Sequence, residues 1–167
     1  SAYQPISAAI IRGDMYDAMV EPSNQIGVFG HGYTYSCHPV AAAVALKTLE
    51  IYERDHIFVK AAERGRYLQQ KLQGFLGHPL VGEVRGRGLM AAVELQNHKT
   101  HAAFPMEVPG FLRQACQDEG LILRDVGTAI AFCPPLIITP QQIDEMADKF
   151  GKALDVTLQW VTQQGLC

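Results

Sequence analysis

The chain has 167 residues, 48% apolar and 19% charged, which suits one domain, or one domain and part of another, built around a sizeable core. A formal net charge of -3 argues against a nucleic-acid partner, because phosphate binding needs a basic face. No apolar run reaches the length of a membrane span, and no signal-peptide pattern is visible at the start.

The chain opens without Met, on Ser1, and an internal piece of a larger protein is expected rather than a processed terminus. Ile6–Ile11, between Pro5 and Arg12-Gly13, is predicted to be a strand. Asp14–Val20 is predicted to be a short helix capped by Gly13 or Asp14 and ended by Pro22. Ser23–Ser36, rich in Gly, Ser and Asn, is expected to be an ordered loop, and such loops often carry function. Pro39 opens a long helix through Tyr52, whose alanines at 41, 42, 43 and 45 predict burial on several faces. Asp55 is expected to cap the next helix. Phe58, Ala61, Ala62, Leu68, Leu72 and Phe75 keep its period, and Gly77 and Pro79 stop it.

Val81–Gln96 alternates across Gly86 and Gly88 and predicts a strand pair or a bent strand. Asn97–Phe104 is a loop with two histidines. Glu107–Glu119 is a helix with Val108, Phe111, Leu112, Ala115 and Cys116 facing in, stopped by Gly120. Leu121–Arg124 and Ala129–Cys133 are predicted short strands joined by Asp125–Thr128. Thr139 and Gln142 form a capping-box pattern before a final helix marked by Ile143, Met146, Phe150 and Leu154. From Asp55 onward this order predicts an α+β fold, a small sheet with helices on one face. Residues before Val40 look like the edge of another domain, with the Pro39 helix as connector.

None of Cys37, Cys116, Cys133 and Cys167 forms a CxxC pair or a zinc framework. Cys116 and Cys133 are expected in the core, and a reducing cytoplasmic setting is the simplest. The sequence carries no GxSxG elbow, HExxH pair, P-loop or dinucleotide fingerprint. His98 and His101 have ligand spacing, but a solvated loop is the expected reading. Two features are harder to dismiss. Gly30–Pro39 sets hydroxyls and backbone N–H groups just before a helix N-terminus, which suits an anion or, equally, an ordinary cap made by Ser36 or His38. Arg124 ends an apolar strand and either offers its fork to a carboxylate or pairs with Asp125 or another neighbour, the latter being the expected reading from chemistry alone.

Several segments together resemble the class-III (ω-type) aminotransferases. Ser-Ala-Tyr-Gln-Pro-Ile-Ser-Ala-Ala resembles the segment just past that family's Schiff-base lysine. Gly32-Tyr33-Thr34-Tyr35-Ser36-Cys37-His38-Pro39 resembles its G-x-T-x-S-G-H-P motif. Val84-Arg85-Gly86-Arg87-Gly88-Leu89-Met90 resembles its V-R-G-x-G-L segment. Leu123-Arg124, with Phe132-Cys133-Pro134-Pro135-Leu136 after it, resembles its closing pattern.

The resemblance implies the small α+β domain of a fold-type I enzyme at residues 55–167, the tail of its large domain at 1–36 and a connecting helix at 37–54. It implies pyridoxal 5'-phosphate as cofactor and a homodimer with active sites at the interface. It implies transfer of an amino group from an amine or ω-amino acid to an α-keto acid such as pyruvate. By resemblance Thr34, with the Tyr33 backbone beside it, binds the cofactor phosphate of the partner subunit, and Arg124 receives a substrate carboxylate. Cys37 stands where glycine is usual, so the loop is expected to shift slightly and the thiol to be buried. The catalytic lysine is expected upstream of Ser1, none of Lys47, Lys60, Lys71, Lys99, Lys149 or Lys152 having its context, so the chain alone is expected to be inactive. The competing expectations are a non-catalytic oligomerisation or ligand-binding module, and a racemase, mutase or decarboxylase on the same scaffold.

Overall fold

The computed structural model describes residues 3–166; Ser1 and Cys167, named above, lie outside the described residues. The chain divides into two units, one ending at Asp55 and the other beginning at His56.

The first unit holds two helices, α1 (Gly13–Ile26) and α2 (Pro39–Arg54), joined by irregular chain. The predicted strand at Ile6–Ile11 does not form. Its residues supply strand propensity, but a strand needs a ladder partner, and among the described residues none lies beside it. Helix α1 runs through Pro22 instead of ending there and takes in Ser23–Ile26 of the expected loop. Pro22 removes one backbone donor, yet the Ser23 hydroxyl donates to the Met19 carbonyl at 2.6 Å within the same turn. Gly27, at φ 97, ends the helix.

Pro39 opens α2 as predicted, but the helix is not buried: Ala41 is its one buried residue, and Leu46 is 68% exposed. Two helices and irregular chain provide no second layer to cover it. Asp55 closes α2 rather than capping the next helix, its carboxylate accepting from Arg54 at 2.8 and 2.9 Å.

The second unit is a four-stranded antiparallel sheet with helices on one face. Helix α3 (Ile57–Gln73) starts from His56 in the left-handed region. Its inward face is Ile57, Gly65, Leu68 and Leu72, while Phe58 and Ala62 point to solvent. A 3-10 turn, Gly74–Gly77, leads to β1 (Val81–Arg87) and β2 (Met90–Leu95). Helix α4 (Glu107–Asp118) comes next, then β3 (Arg124–Val126), β4 (Ala129–Phe132) and α5 (Pro140–Gln163). The sheet order is β1-β2-β4-β3. Both hairpins turn on a glycine at the first of two turn positions, Gly88 at φ 57 and Gly127 at φ 60, where a side chain would be strained.

Strand β3 begins at Arg124, three residues later than predicted; Leu121–Leu123 are apolar but irregular. Alternation along the strands puts Val84, Ala91, Val93, Leu95, Ile130 and Phe132 on the helix side. There they meet Leu68 and Leu72 of α3, Leu112 and Cys116 of α4, and Phe150 and Leu154 of α5. Phe150 lies edge-on between Phe75 and Phe132, at 5.3 and 5.0 Å. Burial pushes the Cys116 thiol up to about 12. Cys133, by contrast, is exposed, because it lies just past the end of β4 on the uncovered side of the sheet. Thr139 and Gln142 make the predicted capping box of α5.

Candidate functional site

The two sequence features singled out above fall in different units, and each is built by its own surroundings. The loop between α1 and α2 turns at residues 34–37. The Ser36 N–H donates to the Tyr33 carbonyl at 2.9 Å, and the Tyr33 N–H donates to the Ser36 hydroxyl at 3.0 Å. Ser36 is thus spent inside the turn, and His38, the cap residue of α2, makes no side-chain cap bond. The ordinary cap that the sequence left open is therefore not made by either residue. Tyr33 and Tyr35 stand 78% and 81% exposed, and the Phe29, His31 and Tyr33 rings succeed one another at 5.9 Å. What this arrangement offers is an uncapped helix N-terminus with the Thr34 hydroxyl in the turn before it, chemistry that fits a phosphate group.

Cys37 corrects one expectation. It adopts φ 59, in the left-handed region that glycine reaches at less cost than a residue with a Cβ. Its thiol is exposed, not buried.

Arg124 opens β3 at the rim of a groove of about 1110 Å³. Leu121, Leu123, Ala131, Pro134, Ile138 and Met146 line its apolar walls, and Glu145 and Lys149 of α5 add an ion pair at 2.7 Å. Pairing of Arg124 with Asp125, expected from chemistry alone, does not occur. Successive strand residues point to opposite faces, and Asp125 turns inward to meet Arg113 of α4 at 3.0 Å. Among the described residues Arg124 has no ion-pair partner, so its guanidinium is uncommitted beside apolar surface.

Sequence reasoning missed a second carboxylate, one that bonds to the turn of this hairpin. Glu94 of β2 accepts from the Thr128 hydroxyl with one oxygen and from Arg85 Nη2, at 2.8 Å, with the other. Burial acts to raise this carboxyl, and the Thr128 and Arg85 hydrogen bonds outweigh it, so Glu94 sits below the usual carboxylate range. Only strand register brings these residues together, and no local spacing signals it. The His98 and His101 rings lie 6.3 Å apart on a surface loop. No group of three or more metal-ligating side chains occurs among the described residues.

The profile of the class-III aminotransferase family matches residues 4–154. The chain is 46% identical over 160 residues to putrescine–pyruvate aminotransferase of Pseudomonas aeruginosa, covering 94% of this chain and 34% of the relative. It is 38% identical over 160 residues to the mitochondrial gamma aminobutyrate transaminase 1 of Solanum lycopersicum, covering 94% and 31%. Among solved structures, the omega transaminase of Pseudomonas jessenii in complex with PMP superposes with a TM-score of 0.85 at 42% identity, over 91% of this chain and 34% of that one. A thermostable omega transaminase engineered for asymmetric synthesis of bulky amines reaches a TM-score of 0.90 at 42% identity, over 96% and 36%. The chain spans about a third of the length of the curated relatives it matches.

Proposed function

The chain belongs to the class-III aminotransferases, and on that premise we propose that it forms the C-terminal part of an enzyme moving an amino group from an amine or ω-amino acid to an α-keto acid such as pyruvate. The observation that carries this reading is Arg124: a guanidinium free of ion pairs among the described residues, set against apolar surface. Its planar fork matches a carboxylate through two parallel hydrogen bonds, and apolar walls strengthen that pairing by excluding water. In this reading residues 1–36 complete the large domain, 37–54 connect, and 55–167 form the small domain. The protein is a cytoplasmic homodimer.

Pyridoxal 5'-phosphate, when bound, supplies the electron sink that lets the bond from substrate carbon to hydrogen break. Thr34 and the backbone around Tyr33 hold its phosphate in the partner subunit, which the uncapped start of α2 favours through its orphan donors. Proton transfer needs an amine that can lose its charge, and four of the six lysines of this chain lie near a carboxylate. Lys47, Lys71 and Lys149 each pair with a carboxylate at 2.7 Å, and Lys152 lies 3.9 Å from Glu119. In this reading none of the six lysines stands in the Schiff-base context, so the chain by itself does not transaminate.

The test is to supply the intact protein with pyridoxal 5'-phosphate, a diamine or 4-aminobutyrate, and pyruvate, and to track alanine formation. Alanine from the intact protein and none from residues 1–167 alone is the expected result. Absence of alanine with every amine donor overturns the reading, and turnover by the chain alone overturns its second half.

A further inference from the structure

Arg124 is poorly supported by its immediate neighbours. It sits in an edge strand of three residues, bonded on one side only, to β4. The register places Arg85, Ala92, Ala131 and Arg124 in one row across the uncovered face of the sheet. The two residues between the arginines are alanines, too short to buttress a guanidinium from the side. Its position is therefore set by where the β3–β4 hairpin lies. Buried Ile130 and Phe132 and the ladder to β2 fix β4 itself, so the bonds to β3 and to the turn decide where Arg124 stands. On the inner face Arg113 holds Asp125. On the outer face the Thr128 hydroxyl, in the turn, donates to Glu94 Oε1, while the Thr128 carbonyl accepts from the Leu95 N–H at 3.0 Å.

Glu94 is itself held in place. Its Oε2 accepts from Arg85 Nη2 at 2.8 Å, and Arg85 Nη1 lies 3.2 Å from Glu83 Oε2. A chain of hydrogen bonds thus runs from β1 through β2 to the hairpin turn, and a carboxylate is the one side chain that can accept at both of its ends. Resting on the reading that Arg124 takes a carboxylate, we propose that Glu94 is a positioning residue for that arginine, acting through Thr128 and the β3–β4 hairpin. It touches no substrate; it fixes the angle and reach from which the guanidinium meets the α-keto acid.

The experiment uses the intact holoenzyme and compares two substrates, pyruvate and an amine donor without a carboxylate. Thr128→Val removes the hydroxyl and keeps the shape. KM for pyruvate should rise roughly tenfold, the low end of the loss expected for one hydrogen bond to a charged group, with the amine half-reaction unchanged, and Thr128→Ser should restore the wild-type value. Glu94→Gln, a second variant with the outline of the carboxylate, should raise the same KM selectively. Equal effects on both substrates, or no effect from either variant, overturn the proposal. Arg124→Gln separates the two layers. If it leaves the pyruvate KM unchanged, the carboxylate reading falls and this inference with it. If it raises that KM while Thr128→Val and Glu94→Gln do not, the inference falls alone.

Discussion

The unit ending at Asp55 and the unit beginning at His56 contain similar kinds of residue and use them differently. In the first, Ala41 is the one buried residue among those described, while Ile6, Ile10, Val40, Leu46 and Leu49 stand more than half exposed. In the second, Leu68, Leu72, Val93, Leu112, Ile130, Phe132, Phe150 and Leu154 are fully enclosed. Local rules suffice to place a helix: proline at its start, glycine at its end, alanines between. They do not supply the opposite layer, and burial is a property of two layers.

The sharpest way to break the contrast is to truncate one apolar residue in each unit. Phe150→Ala should cost about 3–5 kcal/mol, since the ring fills space between two others, whereas Leu46→Ala should stay within about 0.5 kcal/mol. Urea denaturation of the chain measures both, and equal losses would erase the distinction. Glycines give the next largest effect. A Cβ on Gly65 would lie 2.3 Å from the Gly88 carbonyl carbon, and backbone cannot yield as a side-chain end can, so Gly65→Ala should lose about 2–3 kcal/mol. Gly13→Ala meets nothing within 4 Å and should be neutral or gain about 0.5 kcal/mol. Helix starts differ in the same sense. Thr139→Ala removes a capping box and should lower stability by about 1 kcal/mol, while His38→Ala removes no cap bond and should change nothing measurable in a thermal melt.

The smallest effect is a pH slope peculiar to the second unit. His78 Nδ1 accepts from the Leu80 N–H at 3.3 Å, and its Nε2 is buried, 3.5 Å from Asp155 and without a hydrogen-bond partner. Burial lowers its pKa, and Asp155 only partly offsets that. The unfolded chain therefore takes up a proton that the folded chain resists, so stability falls as pH drops below about 6.5. Between about pH 7.5 and about pH 5.5 the urea midpoint should decline, and His78→Asn, which keeps an acceptor but cannot titrate, should flatten the decline. An unchanged slope in that variant would assign the pH dependence elsewhere.

The second unit was largely legible from periodicity. The β1–β2 hairpin, α4, α5 and its capping box all arise from signals within a few residues of one another. The errors share a cause. Ile6–Ile11 has the composition of a strand without a partner, and α2 has that of a buried helix without a cover, and neither lack is written in the segment itself. Cys133 looked internal because its neighbours are apolar, yet its place just past the end of β4 put it on the open side. At the candidate site, Thr34 and Arg124 drew notice through motif and strand position. Glu94, Thr128 and Arg113 drew none, because their partners lie tens of residues away or meet only through strand register or packing of α4 on the sheet.

Gly65 and Gly88 bring the backbone of α3 against the β1–β2 turn with no side chain between them, and Gln69 donates to the Gly88 and Met90 carbonyls across the same contact, at 3.1 and 3.3 Å. Helix and hairpin therefore form one unit of inheritance. A chimera that imports the hairpin from a relative must import α3 with it, because a match of surfaces this close tolerates no independent exchange of either half. Recombination points that respect the contact lie before His56 or in the Asn97–Phe104 loop.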